Sequence, residues 1–415
     1  MARVALVLAG GGARGAYEVG VLKYVVEHVA RDLDGPVHFD VVSGTSVGAI
    51  NAAMLASFAD DPRIGVERLI KAWTSLSMDG VVRTDRRRLW GLVRGLFPGS
   101  SAAMQRSAVF GAEGLRHMLE LAIPFERIDQ MIARGHLAAV SITATHIASG
   151  RTVVFVQRGE PGLPAWGSDG TVVARPARLR VEHALASAAI PLVFPEVSID
   201  GELYCDGGLR QNVPLSPARR LGATDLLVIS PRHLPELPAP PAIAHGASPG
   251  PLFLLGKALN ALLLDRIDED VERLERINAY LEAGERRYGP SFVDDINREL
   301  GFLGKRRLRK LTTVLVRPSE DLSRIGADFV RQGAFKTQPS GVLGRLIAGI
   351  ANGDLGNEAD LLSYLLFDGA FAARLIELGE RDARARHDEL CAFFSRVQSA
   401  HSPSERQIWP LAKPT

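Results

Sequence analysis

The stretch VALVLAGGGARGAYEVGVLKYVVEHV, residues 4–29, decides the fold. Its first six residues, Val4 to Ala9, form a short apolar run of the kind that parallel sheets bury on both faces. Gly10, Gly11 and Gly12 break the run. From Ala16 onward the apolar residues Val19, Leu22, Val25, Val26 and Val29 recur at helical spacing. Asp34-Gly35-Pro36 marks a turn. Phe39–Ser43 (FDVVS) then reads as a second buried strand and Ala49–Phe58 as a second helix. Strand, helix, strand at this spacing predicts a right-handed parallel crossover. The expected class is therefore α/β, with helices on both faces of a mainly parallel central sheet in three layers.

Outward from this unit, residues 62–133 read as helices and loops. Leu137–Ala144 and Thr152–Gln157 flank Ser149-Gly150 as a hairpin. Leu179–Ala189 is helical and stops before Pro191. Val197–Asp200 and Glu202–Cys205 flank Asp200-Gly201, a second hairpin. Asp225–Ser230 (DLLVIS) is another buried strand. A loop rich in Pro and Ala, Pro231 to Pro251, separates this core, residues 1–232, from a mainly helical region, residues 233–415. One strand in the second region, Leu311–Val316, is expected to rejoin the sheet. The pattern over Leu252–Leu281 reads as a long core or capping helix in preference to a mobile cover. Leu361–Leu378 and Arg381–Val397 read as further packed helices, and the tail from His401 is polar.

Composition narrows the function. The 415 residues carry 49 Lys+Arg against 47 Asp+Glu, a net charge of +2, which argues against a nucleic-acid partner. Cys205 and Cys391 do not make a disulfide framework and suit a reducing compartment. No apolar stretch approaches the roughly 20 residues of a membrane span. A cytoplasmic protein is expected, with membrane contact only from the surface.

Gly10, Gly12 and Gly15 fit G-x-G-x-x-G between a strand and a helix, a pattern shared with dinucleotide sites. A dinucleotide site also wants an acidic residue at the end of the second strand. Here that strand runs into Gly44-Thr45-Ser46-Val47-Gly48 instead. The loop also lacks the Lys-Ser/Thr ending of a phosphate loop. What remains is either a tight packing turn or a set of outward amides at a helix N-terminus, suited to a phosphate or a developing oxyanion.

Residues 44–48 are also G-x-S-x-G, the sharp strand-to-helix turn that exposes a serine hydroxyl. A second match, Gly246-Ala247-Ser248-Pro249-Gly250, has no strand before it, and Pro249 has no amide hydrogen to donate. Ser46 is the candidate nucleophile, and it needs a base. His233, His245, His387 and His401 sit in the Pro-rich loop, a late charged helix and the tail. His183 reads as an ordinary helix residue. Asp206, followed by Gly207 and Gly208 at a hairpin's end, is the sharper candidate.

Gly-Gly-Gly-x-Arg-Gly at 10–15, Gly-x-Ser-x-Gly at 44–48, Ala186–Pro191 with Phe194-Pro195, and Asp-Gly-Gly at 206–208 together resemble the patatin-like phospholipase family. The resemblance covers residues 4 to about 230. It implies a patatin-like fold and lipid acyl hydrolysis by a Ser–Asp dyad, without histidine, metal or cofactor. By position it makes Ser46 the nucleophile, Asp206 the base, and the amides of Gly10, Gly11 and Gly12 the oxyanion hole. Ala13, Arg14, Gly15, Gly44, Gly48, Gly207 and Gly208 complete the motifs. The implied substrate is a phospholipid or another lipid ester. A carboxylesterase, a thioesterase or a silent lipid- or protein-binding member of the fold would use the same parts. Arg83–Phe97 mixes Arg86, Arg87, Arg88 and Arg94 with Trp90 and Phe97, which suits contact with anionic lipid as well as a helix with a solvated basic face. Lys305–Lys310 (KRRLRK) is a second basic cluster.

Overall fold

β1 (Val4–Leu8) lies within a nine-stranded sheet, and its side chains alternate between two cores. Val4, Leu6 and Leu8 belong to one apolar cluster, and Ala5, Val7 and Ala9 to a second on the opposite face. A strand buried on both sides in this way has no polar face to show, which is why its sequence is a continuous apolar run. The structure is a computed structural model that describes residues 3–77, 113–164, 166, 170–191, 193–234, 267–302, 307–335 and 359–400.

From β1 the chain turns through a short 3-10 helix, Gly12–Gly15, into α1 (Ala16–Tyr24), which runs on through a π turn at Val25–Val29. Then come β2 (Val41–Thr45), α2 (Val47–Ser57), α3 (Pro62–Ser75), α4 (Glu113–Ala122) and α5 (Glu126–Ala133). The hairpin of β3 (Ala139–His146) and β4 (Thr152–Arg158) follows, then β5 (Val172–Pro176) and α6 (Val181–Ser187). A second hairpin, β6 (Val197–Ile199) with β7 (Glu202–Asp206), leads to α7 (Leu215–Arg220) and β8 (Asp225–Ile229). Beyond these lie α8 (Ile267–Tyr288), α9 (Phe292–Phe302), β9 (Thr312–Val316) and α10 (Leu322–Arg331). The described chain ends with α11 (Ala359–Leu365), α12 (Gly369–Ala385) and α13 (His387–Ala400).

The sheet runs β5-β4-β3-β2-β1-β8-β9, with β7 pairing β3 and β6 pairing β7. β3, β2, β1, β8 and β9 are mutually parallel. β4 is antiparallel to β3. The expected α/β architecture with a helical C-terminal region is what the chain adopts. The strand near residue 311 does rejoin the sheet, pairing β8 in parallel from Asp225↔Thr312 to Ile229↔Val316.

Two elements differ from expectation. β5 is an added edge strand whose half-exposed residues carry too little apolar periodicity to announce it, and it ends on Pro176, as an edge permits. The long apolar pattern expected over Leu252–Leu281 is described only from Ile267. There it forms a surface helix: Val271 and Leu274 are half-buried against the second cluster and Leu281 is fully buried. The stretch Arg83–Phe97, the Gly246–Gly250 match and Lys305 lie outside the described residues.

Candidate active site

The register of β3 brings the two candidate catalytic groups together. β2 pairs with it in parallel as far as Thr45↔Thr143. One residue further along, β7 takes over, with Ala144↔Asp206. β4 occupies the other edge over the whole of Ala139–Thr145, so β2 and β7 share one edge, end to end. Ser46 follows Thr45 directly and therefore meets Asp206. Its Oγ donates to Asp206 Oδ2 at 2.6 Å, and both residues are buried.

Ser46 sits at φ 55° and ψ −128°, a region that costs a non-glycine residue about 1–3 kcal/mol and persists only when its surroundings impose it. The surroundings here are specific. The Ser46 amide donates to Ser187 Oγ at 2.8 Å, and Ser187 Oγ donates on to the Thr143 carbonyl at 2.6 Å. A Cβ on Gly44 would fall 2.2 Å from the Gly48 carbonyl oxygen, and one on Gly48 2.5 Å from the Leu8 carbonyl oxygen. The glycines flanking the serine are there because backbone passes over backbone.

Asp206 is completely buried. Its Oδ1 accepts from the Gly208 amide at 2.7 Å, its own amide donates to the Ala189 carbonyl at 2.9 Å, and Thr145 Oγ1 donates to its carbonyl at 2.9 Å. Burial pushes its carboxyl from 3.8 up to about 7, against the opposing pull of the Ser46 and Gly208 hydrogen bonds. A carboxylate tuned to that range is matched to proton transfer near neutrality.

The glycine loop at the end of β1 lies beside this pair. The Gly10 amide is taken by the Asn212 carbonyl at 3.1 Å, and Asn212 Nδ2 donates to the Gly10 carbonyl at 3.3 Å. The amides of Gly11 and Gly12 have no acceptor among the described residues. The Arg14 amide closes the turn on the Gly11 carbonyl at 3.1 Å. The Gly15 carbonyl accepts from Asn51 Nδ2 at 3.2 Å, and Ala13 is buried beside it. Asn51 also donates to Glu18 Oε2 at 2.8 Å and accepts from Trp73 Nε1 at 3.1 Å. Glu18 is fully buried, and that burial holds its carboxyl well above the usual carboxylate range.

No described histidine bonds to Ser46. His183 Nδ1 takes the Arg180 amide at 3.1 Å, and its pKa is lowered to about 4 by burial, so it is neutral. His233 contacts the Pro318 carbonyl at 3.0 Å, and His387 contacts Tyr24 Oη at 3.2 Å.

Sequence reasoning missed Ser187 as a support for the elbow, although it lies in the Ala186–Pro191 block. It missed Asn212 altogether, for a single Asn in a loop carries no periodicity or turn signal. An apolar cavity of about 60 Å³ begins at Val47, the residue after the serine, and continues along Ile50, Met54, Trp73, Leu119 and Ile123. Among the described residues, no helix is long and apolar enough to cross a membrane.

A family model described as patatin-like phospholipase matches residues 6–219. The chain is 29% identical over 209 residues to the cGAMP-activated phospholipase of Pseudomonas aeruginosa, a match covering 50% of this chain and 53% of that protein. It is 26% identical over 226 residues to patatin-like phospholipase domain-containing protein 7 of Rattus norvegicus, covering 54% of this chain and 13% of that one. The chain thus matches about half of the first relative and a small part of the second. Among solved structures it is similar to human GIVD cytosolic phospholipase A2, at 13% identity and a TM-score of 0.42 over 96% of this chain and 59% of that chain.

Proposed function

Because this chain belongs to the patatin-like phospholipase family, we propose that it hydrolyses lipid carboxylic esters through an acyl-Ser46 intermediate. In this reading Asp206 is the base, and the amides of Gly11 and Gly12 receive the oxyanion. The observation that carries it is the 2.6 Å hydrogen bond from Ser46 Oγ to a buried aspartate with no histidine between them. The Gly10 amide already has an acceptor in Asn212, so the two following amides are the ones available to a substrate.

Asp206 accepts the Ser46 proton as Oγ attacks the ester carbonyl. The carbonyl oxygen becomes an oxyanion against the glycine-loop amides, where removing one donor typically costs about 10²–10³ in rate. The carbonyl reforms as the C–O bond to the alcohol breaks, and the leaving oxygen takes the proton from Asp206. Water then attacks the acyl-serine and gives its proton to Asp206, which returns it to Ser46 Oγ as the fatty acid departs. Contact with an anionic lipid surface through Arg83–Phe97 rests on the sequence alone.

The test is fatty-acid release from phospholipid vesicles and from a chromogenic short-chain ester, with Ser46→Ala and Asp206→Asn beside the wild type. Each variant is expected to lose at least about 10³-fold in kcat. Wild-type kcat/KM should rise with pH and level off above about 7, since the base works deprotonated. Full turnover in either variant overturns the dyad. Release from the short ester but not from vesicles assigns the site to a carboxylesterase.

Asp206→Asn carries a second expectation, with a defined sign. The folded pKa lies above the unfolded one, so the folded state binds the proton more tightly. That contribution to stability is complete below about 4 and is lost as pH rises through about 7. Asparagine does not ionise, so the variant should melt higher than the wild type at pH 8 and nearer to it at pH 4. A variant that melts lower at pH 8 would show that the carboxylate stabilises the fold.

A further inference from the structure

The glycine loop has a second set of neighbours, and they come from the C-terminal helices. Gly12 takes a φ of 55°, and a Cβ there would fall 2.5 Å from the Tyr364 carbonyl oxygen at the end of α11. Two residues on, Arg14 is only 3% exposed. Its Nε donates to Ser363 Oγ at 2.9 Å. Its Nη2 donates to the same Ser363 oxygen at 2.6 Å and to Ser323 Oγ of α10 at 2.9 Å. The guanidinium lies over the Tyr364 ring, 4.0 Å from its centroid. The helix that continues the loop is gripped as closely: a Cβ on Gly20 would fall 2.0 Å from the Ile376 carbonyl oxygen of α12.

A buried guanidinium is costly to desolvate unless its donors are met. Here Nε and Nη2 are met by two serines, and the plane by an aromatic face, all more than three hundred residues away in sequence. The backbone of Arg14 is meanwhile part of the turn, its amide closing on the Gly11 carbonyl. An anchored guanidinium therefore tethers the backbone that closes the turn on Gly11. An apolar side chain would fill the same space without the desolvation penalty. What the guanidinium adds is a fork of fixed geometry, and so a fixed position for the turn.

We propose that Arg14 is a positioning residue through which α10 and α11 set the shape of the glycine loop, so that the C-terminal helices complete the active site. The inference rests on the proposed reading that this loop receives the oxyanion. It differs from a role in which the arginine meets substrate charge, because such a role leaves Ser363, Ser323 and Tyr364 without consequence for turnover.

The decisive comparison is the double variant Ser363→Ala with Ser323→Ala, in the full chain. Its kcat should fall by about 10²-fold, the scale at which small misplacements act. KM should stay within about twofold, since no substrate contact is removed. Labelling of Ser46 by a fluorophosphonate should slow in parallel, and hydrogen exchange across residues 9–16 should quicken. Arg14→Lys, which keeps the charge and loses the fork, should lie between the double variant and the wild type. A double variant with wild-type labelling rate and wild-type exchange overturns the proposal. Should the double variant fail to fold, an Arg14→Lys kcat within about twofold of wild type overturns it instead. A wild type that neither labels nor turns over defeats the hydrolase reading, and exchange at residues 9–16 still decides whether α10 and α11 hold the loop.

Discussion

Two turns at neighbouring strand ends build the candidate site, and they are held in different ways. The elbow after β2 is held from within: Gly44 and Gly48 meet backbone at once, and Ser187 ties the Ser46 amide to Thr143 of the adjacent strand. The glycine loop after β1 is held from outside, by Asn212 on one side and by Ser363, Ser323 and Tyr364 on the other. The elbow carries its strain at Ser46 itself. The loop carries a positive φ at a glycine, which costs little, and depends instead on what presses against it. Ser46 is thus fixed by the sheet that defines the fold. The Gly11 and Gly12 amides are set by parts of the chain added around that sheet.

The sharpest way to break the comparison is to disturb the elbow at its glycine. Gly48→Val puts side-chain atoms against the Leu8 and Ala9 carbonyls, at 2.5 and 2.6 Å from the Cβ alone. Neither backbone segment can give, because β1 lies inside the sheet. The expected result is loss of turnover by about 10³-fold or more with Ser46 displaced, read by ester hydrolysis together with fluorophosphonate labelling. A variant that labels normally would show that the elbow is held by something other than this backbone crossing.

Asn212→Ala should have the next largest effect, and on the loop alone. The Asn212 carbonyl still receives the Gly10 amide, while the side-chain bond to the Gly10 carbonyl is lost. A fall in kcat of about 10-fold, with KM and melting temperature little changed, is expected for a loop that keeps one of two ties. Asn212→Asp sharpens the reading. It keeps the size but sets a carboxylate oxygen against a carbonyl, so it should fall further than alanine.

This difference between the turns is also why one of them was legible in the sequence and the other only in part. What announces the elbow in the sequence is local: an apolar strand, two glycines, a serine and a helix that follows at once, while its tie to Ser187 is not. The same holds for Asp206, whose Asp200-Gly201 hairpin fixes where β7 ends, although the register that carries it past Thr143 is set by pairing between segments 60 residues apart in the chain. The partners of Arg14 lie far beyond any spacing rule, in helices whose own pattern speaks only of packing. Arg14 read alone is a charge at the start of a helix, where a cation is mildly unfavourable. Only the fold shows what offsets that placement. β5 escaped for a related reason, since a half-exposed edge strand needs neither an apolar run nor strict alternation.

Ser187→Ala should have the smallest effect, and its size tests the contrast between the turns most directly. The substitution removes the acceptor of the Ser46 amide and the donor to the Thr143 carbonyl, leaving both groups buried. Unmet buried groups cost about 1–3 kcal/mol each, so a clear fall in melting temperature is expected. The shape of the elbow should nevertheless survive, because Gly44, Gly48 and the pairing of Thr45 with Thr143 still constrain it. Turnover should therefore drop by less than about 10-fold, with the pH dependence set by Asp206 unmoved. If Ser187→Ala instead costs as much in kcat as Asn212→Ala while losing little stability, the elbow is as dependent on a remote side chain as the glycine loop is. The division between a turn held from within and a turn held from outside would then fail at the point where the hydroxyl of Ser187 meets the Ser46 amide.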